Sequence, residues 1–121
     1  LLPISKKVEA FAGQRVIAVV AGARHSLALT ADGAVWSWGG GDYGKLGHGN
    51  TQNQLLPKKI EALAGQRAVA VSAGAYHSIA FTTDGAVCSW GKGESGCLGH
   101  GEDVTNQLLP KKIEGWAQPQ D

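Results

Sequence analysis

The chain has 121 residues, a formal net charge of +1, 43% hydrophobic and 17% charged residues, and 18 glycines. That balance excludes a disordered chain, the lack of a strict Gly-X-Y period excludes collagen, and no apolar run approaches the roughly 20 residues of a membrane span. The near-neutral charge argues against a dedicated nucleic-acid binder, no signal-peptide pattern is visible, and two cysteines, Cys88 and Cys97, make no disulfide framework and favour a reducing, intracellular compartment.

In chain order, Arg15–Ala21 is β-branched and apolar and predicts an inner strand. His25–Thr30 predicts a second strand and Ala34–Trp38 a third, with Thr30-Ala31-Asp32-Gly33 between them as a hairpin turn. Residues 39–49 are too rich in glycine for regular structure and predict a shaped loop. Pro57–Glu61 predicts a fourth, outer strand centred on Ile60, because proline suits the start of an edge strand that needs no ladder donor. The same series then returns as Arg67–Ala73, His77–Thr82, Ala86–Trp90 and an outer strand centred on Ile113.

A shift of 52 positions superimposes the two series. Gly22-Ala23-Arg24-His25-Ser26 falls on Gly74-Ala75-Tyr76-His77-Ser78, and Leu46-Gly47-His48-Gly49 falls on Leu98-Gly99-His100-Gly101. About two-thirds of positions 9–49 are identical in the second copy. Four short strands per unit of roughly 40–50 residues is the arithmetic of a propeller blade. A helical solenoid would need 3.6-residue apolar periodicity, which these short, punctuated runs lack. The expected fold is therefore all-β, with two four-stranded antiparallel propeller blades that complete a ring by oligomerisation or as part of a longer chain. Residues 1–54 are expected to form the first blade with an extra N-terminal outer-strand segment, and residues 55–121 the second, ending in a repeated outer-strand segment.

Val-Ala-x-Gly-x-x-His-Ser-x-Ala-x-Thr, followed by Asp-Gly-x-Val-x-x-Trp-Gly and Gly-x-Leu-Gly-x-Gly, resembles the regulator of chromosome condensation repeat. Val19–Gly49 and Val71–Gly101 carry the pattern, so the resemblance covers nearly the whole chain. The Gly41–Gly49 run is similar to the repeats of large HECT-type ubiquitin ligases and of the plant ultraviolet-B receptor. The resemblance implies a propeller, usually of about seven blades, in a family that includes the chromatin-bound nucleotide exchange factor for the small GTPase Ran and many adaptors. Light sensing does not carry over, because Ala23 and Ala75 stand where the receptor's Gly-Trp-Arg-His-Thr segment has its tryptophan.

Several residues invite chemistry and are better read as architecture. Gly39–Gly44 and Gly91–Gly96 spell G-x-G-x-x-G, but Leu-Gly-His-Gly follows closely instead of the helix that would hold a pyrophosphate. His25 and His77 each precede a serine, but adjacent strand positions point to opposite faces, which prevents mutual activation. They are expected to be structural histidines bonded to backbone. His48, His100, Cys88 and Cys97 lack zinc-site spacing. The Lys6-Lys7, Lys58-Lys59 and Lys111-Lys112 pairs read as gatekeepers against edge-to-edge pairing. Trp38, Trp90, Gly39 and Gly91 are expected to be structural as well. No metal or cofactor is expected.

The residues that differ between copies point to binding. Arg24 and Tyr76 fall in the turn between the first two strands, and Asp42, Tyr43, Lys45, Glu94 and Ser95 fall in the Gly-rich loops. Loops on a rigid scaffold are where recognition residues concentrate. The expected function is a non-catalytic scaffold for protein–protein interaction through these end-face loops. A guanine nucleotide exchange factor for a Ran-type GTPase is the first alternative. A fragment or engineered repeat with no function beyond self-assembly is the second. The expected partners are the chain itself, in a homo-oligomeric ring of three or four copies, and another protein on the end face. Neither a membrane nor nucleic acid is expected as a partner.

Overall fold

Eight short strands make two separate four-stranded antiparallel sheets in the computed structural model, which describes residues 11 and 13–114. The first sheet holds β1 (Val16–Ala21), β2 (His25–Thr30), β3 (Val35–Gly39) and β4 (Gln54–Lys59) in that spatial order. The second repeats it with β5 (Ala68–Ala73), β6 (His77–Thr82), β7 (Val87–Gly91) and β8 (Gln107–Lys112). Each sheet is a meander whose neighbouring strands are consecutive in sequence, so only short connections are needed. Among the described residues the helix is limited to 3₁₀ turns, including Asp42–Gly44, Glu61–Leu63 and Glu94–Gly96.

The β2–β3 hairpin shows how sequence dictates the turn. The Thr30 hydroxyl donates to Asp32 Oδ1 at 2.5 Å, the Ala34 amide reaches the same oxygen at 3.3 Å, and Gly33 takes φ 86°. Thr82, Asp84 and Ala86 reproduce the arrangement in the second sheet. In both turns the threonine hydroxyl, and then the backbone amide, hold the aspartate pKa below its usual value.

The outer strands correct one expectation. They span Gln54–Lys59 and Gln107–Lys112, so they lie on the N-terminal side of Ile60 and Ile113 instead of centring on them. Ile60 sits just past the strand, 1% exposed, and its amide donates to Val35 O at 2.8 Å. It anchors the chain as it leaves the sheet. The expected boundary between residues 54 and 55 falls inside β4, and strand pairing carries the first sheet to Lys59.

The core lies between the two sheets. Leu27, Leu29, Val35, Ile60 and Leu63 meet Ala68, Ala80, Cys88 and Trp90, with Ala18, Val20, Val71 and Ala73 at the margin. The connection also carries polar joints. Arg67 Nη2 donates to Ala31 O at 2.9 Å, the Ala68 amide to Gly33 O at 2.9 Å, and the Gly49 amide to Leu108 O at 2.9 Å. The equivalent tryptophans are not equally placed. Trp90 is fully buried in this seam, while Trp38 lies half-buried on the opposite flank, edge-on to Phe11 at 5.8 Å between ring centres.

Candidate interaction site

The β1–β2 and β5–β6 turns and the two Gly-rich loops emerge at the same end of the sheets. Gly39 and Gly91 make this approach possible. At φ 106° and 110° they adopt a conformation that disfavours side chains, and a Cβ on either would stand 2.6 Å from Arg24 O or 2.4 Å from Tyr76 O. The next amides fasten the contact: Gly40 donates to Arg24 O at 2.7 Å and Lys92 to Tyr76 O at 2.9 Å. Asn53 and Asn106 hold the far side of each loop by accepting from the Gly41 and Gly93 amides.

This geometry gathers the candidate residues across the seam. Tyr43 has φ 65°, the only positive value outside glycine among the described residues. Its ring meets Tyr76 of the second sheet edge-on, with centres 5.4 Å apart. Lys92 Nζ lies 4.9 Å from the Tyr43 ring centre and 5.0 Å from that of Tyr76, within cation–π range. Its ammonium also pairs with Glu94 at 3.2 Å, and that contact is the main cause of a raised Lys92 pKa. Comparison of the two copies pairs Lys92 with Gly40 among the differing loop positions, although Lys92 was not counted with the candidate interaction residues. Arg24 and Asp42 are exposed, and Ser95 lies in the 3₁₀ turn that matches Tyr43.

Lys45 departs from expectation. It is 0% exposed, and its Nζ has no hydrogen-bond acceptor. The Tyr76 ring lies 5.6 Å away. Burial lowers its pKa below that of an ordinary lysine; the Asp42 carboxylate opposes the shift and Arg24 adds to it. Beside this group, Arg24, Gly39, Gly40, Asp42, Asn53, Gln54 and Leu55 line a cleft of about 280 Å³.

The histidines add a side-chain partner to the expected backbone one. His25 Nε2 lies 3.0 Å from Ser78 Oγ of the second sheet, and the His77 backbone also acts on the ring through a hydrogen bond. Ser78 Oγ also donates to Lys45 O at 2.8 Å, which commits its only proton. His25 Nε2–H is therefore the donor to serine, and Nδ1 is a buried lone pair with no partner. A serine bound in this way is not poised as a nucleophile. Burial, and then the nearby Lys45 charge, push the His25 pKa down to about 4. His48 and His100 use the same device within their own sheets, on Ser37 at 2.8 Å and Ser89 at 3.0 Å, whose hydroxyls donate to Leu46 O and Leu98 O. His77 is half-buried on the flank of the second sheet away from the first. Cys88 is buried and Cys97 exposed, and no cluster of three or more His, Cys, Asp or Glu forms among the described residues.

Two four-stranded meanders packed around a shared seam, with Gly-rich loops gathered at one end, define a pair of β-propeller blades. The chain belongs to the regulator of chromosome condensation (RCC1) repeat family, whose profiles match residues 32–81 and 84–118 in one form and 16–45 and 68–97 in another. It is 46% identical over 112 residues to the mouse E3 ubiquitin-protein ligase HERC2, a match that covers 91% of this chain and 2% of that protein. It is 39% identical over 115 residues to the ultraviolet-B receptor UVR8 of Arabidopsis thaliana, covering 94% of this chain and 26% of the receptor. Among solved structures, Prp20p of Saccharomyces cerevisiae aligns with a TM-score of 0.76 at 28% identity, over 85% of this chain and 26% of that one. Human WBSCR16 aligns with a TM-score of 0.77 at 31% identity, over 84% of this chain and 26% of that one. The chain thus spans about a quarter or less of these proteins.

Proposed function

We propose that this chain is a non-catalytic protein-interaction module that receives its partner on the end face built by Arg24, Asp42, Tyr43, Lys45, Tyr76 and Glu94. The observation that carries this reading is the convergence of both blades' variable loop residues around the Tyr43–Tyr76 contact. Tyrosine and arginine are the usual anchors of protein interfaces. Yeast Prp20p, a structural relative, has been studied for binding to Gsp1p and histones and solved bound to Kap60. Selection of a random peptide library on the 121-residue chain tests the reading. Binders should emerge that lose at least about tenfold in affinity on Tyr43→Ala or Tyr76→Ala, as anchor truncation implies. A selection that yields no binder sensitive to either change overturns it. The family resemblance keeps a nucleotide exchange factor as the second reading, and accelerated nucleotide release from a Ran-type GTPase would move the function there.

Self-association is a further part of the proposal. Ser26 and His77 occupy the positions of Ser78 and His25 on the two outward flanks, and both are half-buried there. Val19 and Phe81 are exposed by 58% and 38%. Each flank thus carries one half of the seam already formed between the blades, so a second copy can dock head to tail. Head-to-tail contacts close into rings when the rotation allows, and three or four copies give propellers of about six or eight blades. Native mass spectrometry at micromolar concentration should find the trimer or tetramer, weakened by His77→Ala. A stable folded monomer overturns the ring.

A further inference from the structure

The open cleft on the first blade has a filled counterpart on the second. The first blade sends its Asp42–Gly44 turn across the seam. There the Tyr43 ring meets Tyr76 and lies 4.9 Å from Lys92 Nζ. A Cβ on Gly44 would stand 2.6 Å from Leu108 Cα and 3.2 Å from Gln107 O. Lys45 follows, with its Cβ 3.2 Å from where a Cβ on Gly91 would stand. The five residues met in this way, Tyr76, Gly91, Lys92, Gln107 and Leu108, correspond in the repeat to Arg24, Gly39, Gly40, Gln54 and Leu55. Those five line the cleft of about 280 Å³. Exposure agrees: Leu108, under the turn, is 37% exposed, and Leu55 is 94% exposed.

The turn that matches Asp42–Gly44 is Glu94–Gly96. Among the described residues it has no socket. A Cβ on Gly49 would touch Leu109 at 3.4 Å and one on Gly44 would run into Leu108, whereas one on Gly96 or Gly101 would meet nothing within 4 Å. One empty socket and one unseated turn therefore stand on opposite flanks of the chain.

We propose that the cleft is the socket for the Glu94–Gly96 turn of a second copy of this chain. This deepens the self-association reading and rests on it. The residues that differ between the repeats fit the pairing. In the internal seam the Lys45 ammonium lies 5.6 Å from the Tyr76 ring, a favourable cation–π contact. In the joint between copies the corresponding pair is Cys97 and Arg24, and an uncharged residue spares the guanidinium a like charge. Arg24 makes no ion pair among the described residues, and the incoming turn brings Glu94, whose side chain is 69% exposed despite its contact with Lys92. Across the joint Arg24 and Lys92 stand against Asp42 and Glu94, so the charges balance.

The test follows the thiol of Cys97, which is exposed, while Cys88 is buried. Its counterpart in the formed seam, Lys45, is 0% exposed. The full chain is labelled briefly with a maleimide dye across a concentration series, and native mass spectrometry reads the assembled fraction. Labelling of Cys97 should be lost as that fraction grows. Leu55→Glu alters an exposed position, and Gly96→Asn places at φ 72° the side chain that best tolerates it. Each should give a monomer with an unchanged far-ultraviolet spectrum and a fully reactive Cys97. Should Gly96→Asn lose that spectrum, Leu55→Glu decides alone. Assembly with Cys97 as reactive as in the monomer, or assembly that survives Leu55→Glu, overturns the socket and leaves self-association standing. A chain monomeric at every concentration overturns both, and library peptides that no longer bind Leu55→Glu would then give the cleft to a foreign segment.

Discussion

Replacing Trp90 by alanine should cost about 3–5 kcal/mol of stability, the range for truncating a fully buried aromatic, and the matching change at Trp38 should cost clearly less. Trp90 has no exposed surface and belongs to the cluster that joins the two sheets. A Cβ on Gly47 would stand 2.9 Å from its Nε1, so the first blade's Gly-rich loop lies directly against the indole. Truncation would therefore open a cavity lined by both blades, and neither can close it by a local shift. Trp38 occupies the same repeat position, but its flank faces Phe11 and not a full blade, and it is half-buried. Urea unfolding of the two single variants measures the contrast. Equal, small losses would show that the seam does not hold the blades together.

Stability should fall as the solution is acidified from pH 7 to pH 5, by about 2 kcal/mol from His25 alone. The sign follows from its two pKa values: 6.5 as the ordinary value and about 4 in the folded chain. Folding favours the neutral ring, so its contribution is full above about pH 6.5 and is lost as pH falls toward 4. Asp32, Asp84 and Asp103 have pKa values held below the usual carboxylate value, so they protonate mainly below this window. His48 is also shifted down by burial and contributes in the same direction. The measurement is the urea midpoint at the two pH values for the natural chain and for His25→Asn. The variant should start less stable and show a flatter pH dependence. An unchanged slope would remove His25 as the source.

Much of the fold was legible because strands announce themselves in runs of period two and turns in Thr-x-Asp-Gly. The outer strand was misplaced for a physical reason. Pro57 was taken as the strand's start, yet β4 begins at Gln54 and carries Pro57 within it, so Ile60 is buried just beyond the strand's end, while Leu55 and Leu56 within β4 are exposed by 94% and 67%. Proline is tolerated inside this strand because it is the outer one, where no ladder partner needs its missing donor. The His25–Ser78 contact was illegible for another reason: its partners are 53 residues apart, and the neighbouring Ser26 drew attention instead. The burial of Lys45 was missed because a lysine in a glycine-rich loop reads as solvated. Its loop is held against the seam by the same carbonyl that Ser78 engages, a contact between residues 33 apart in the chain.

The bond from His25 to Ser78 has a consequence for how such chains change in length over evolution. Every blade carries the donor histidine and, one residue later, the acceptor serine, and the two face opposite neighbours. A segment of 52 residues copied in register therefore arrives with both of its couplings already made, one for the unit before and one for the unit after. Deletion of a unit heals in the same way, because the remaining ends still match. Duplication and loss by unequal recombination thus need no compensating substitution at the joint. Residues outside it, such as Arg24 and Tyr76, are free to diverge within a unit that already fits.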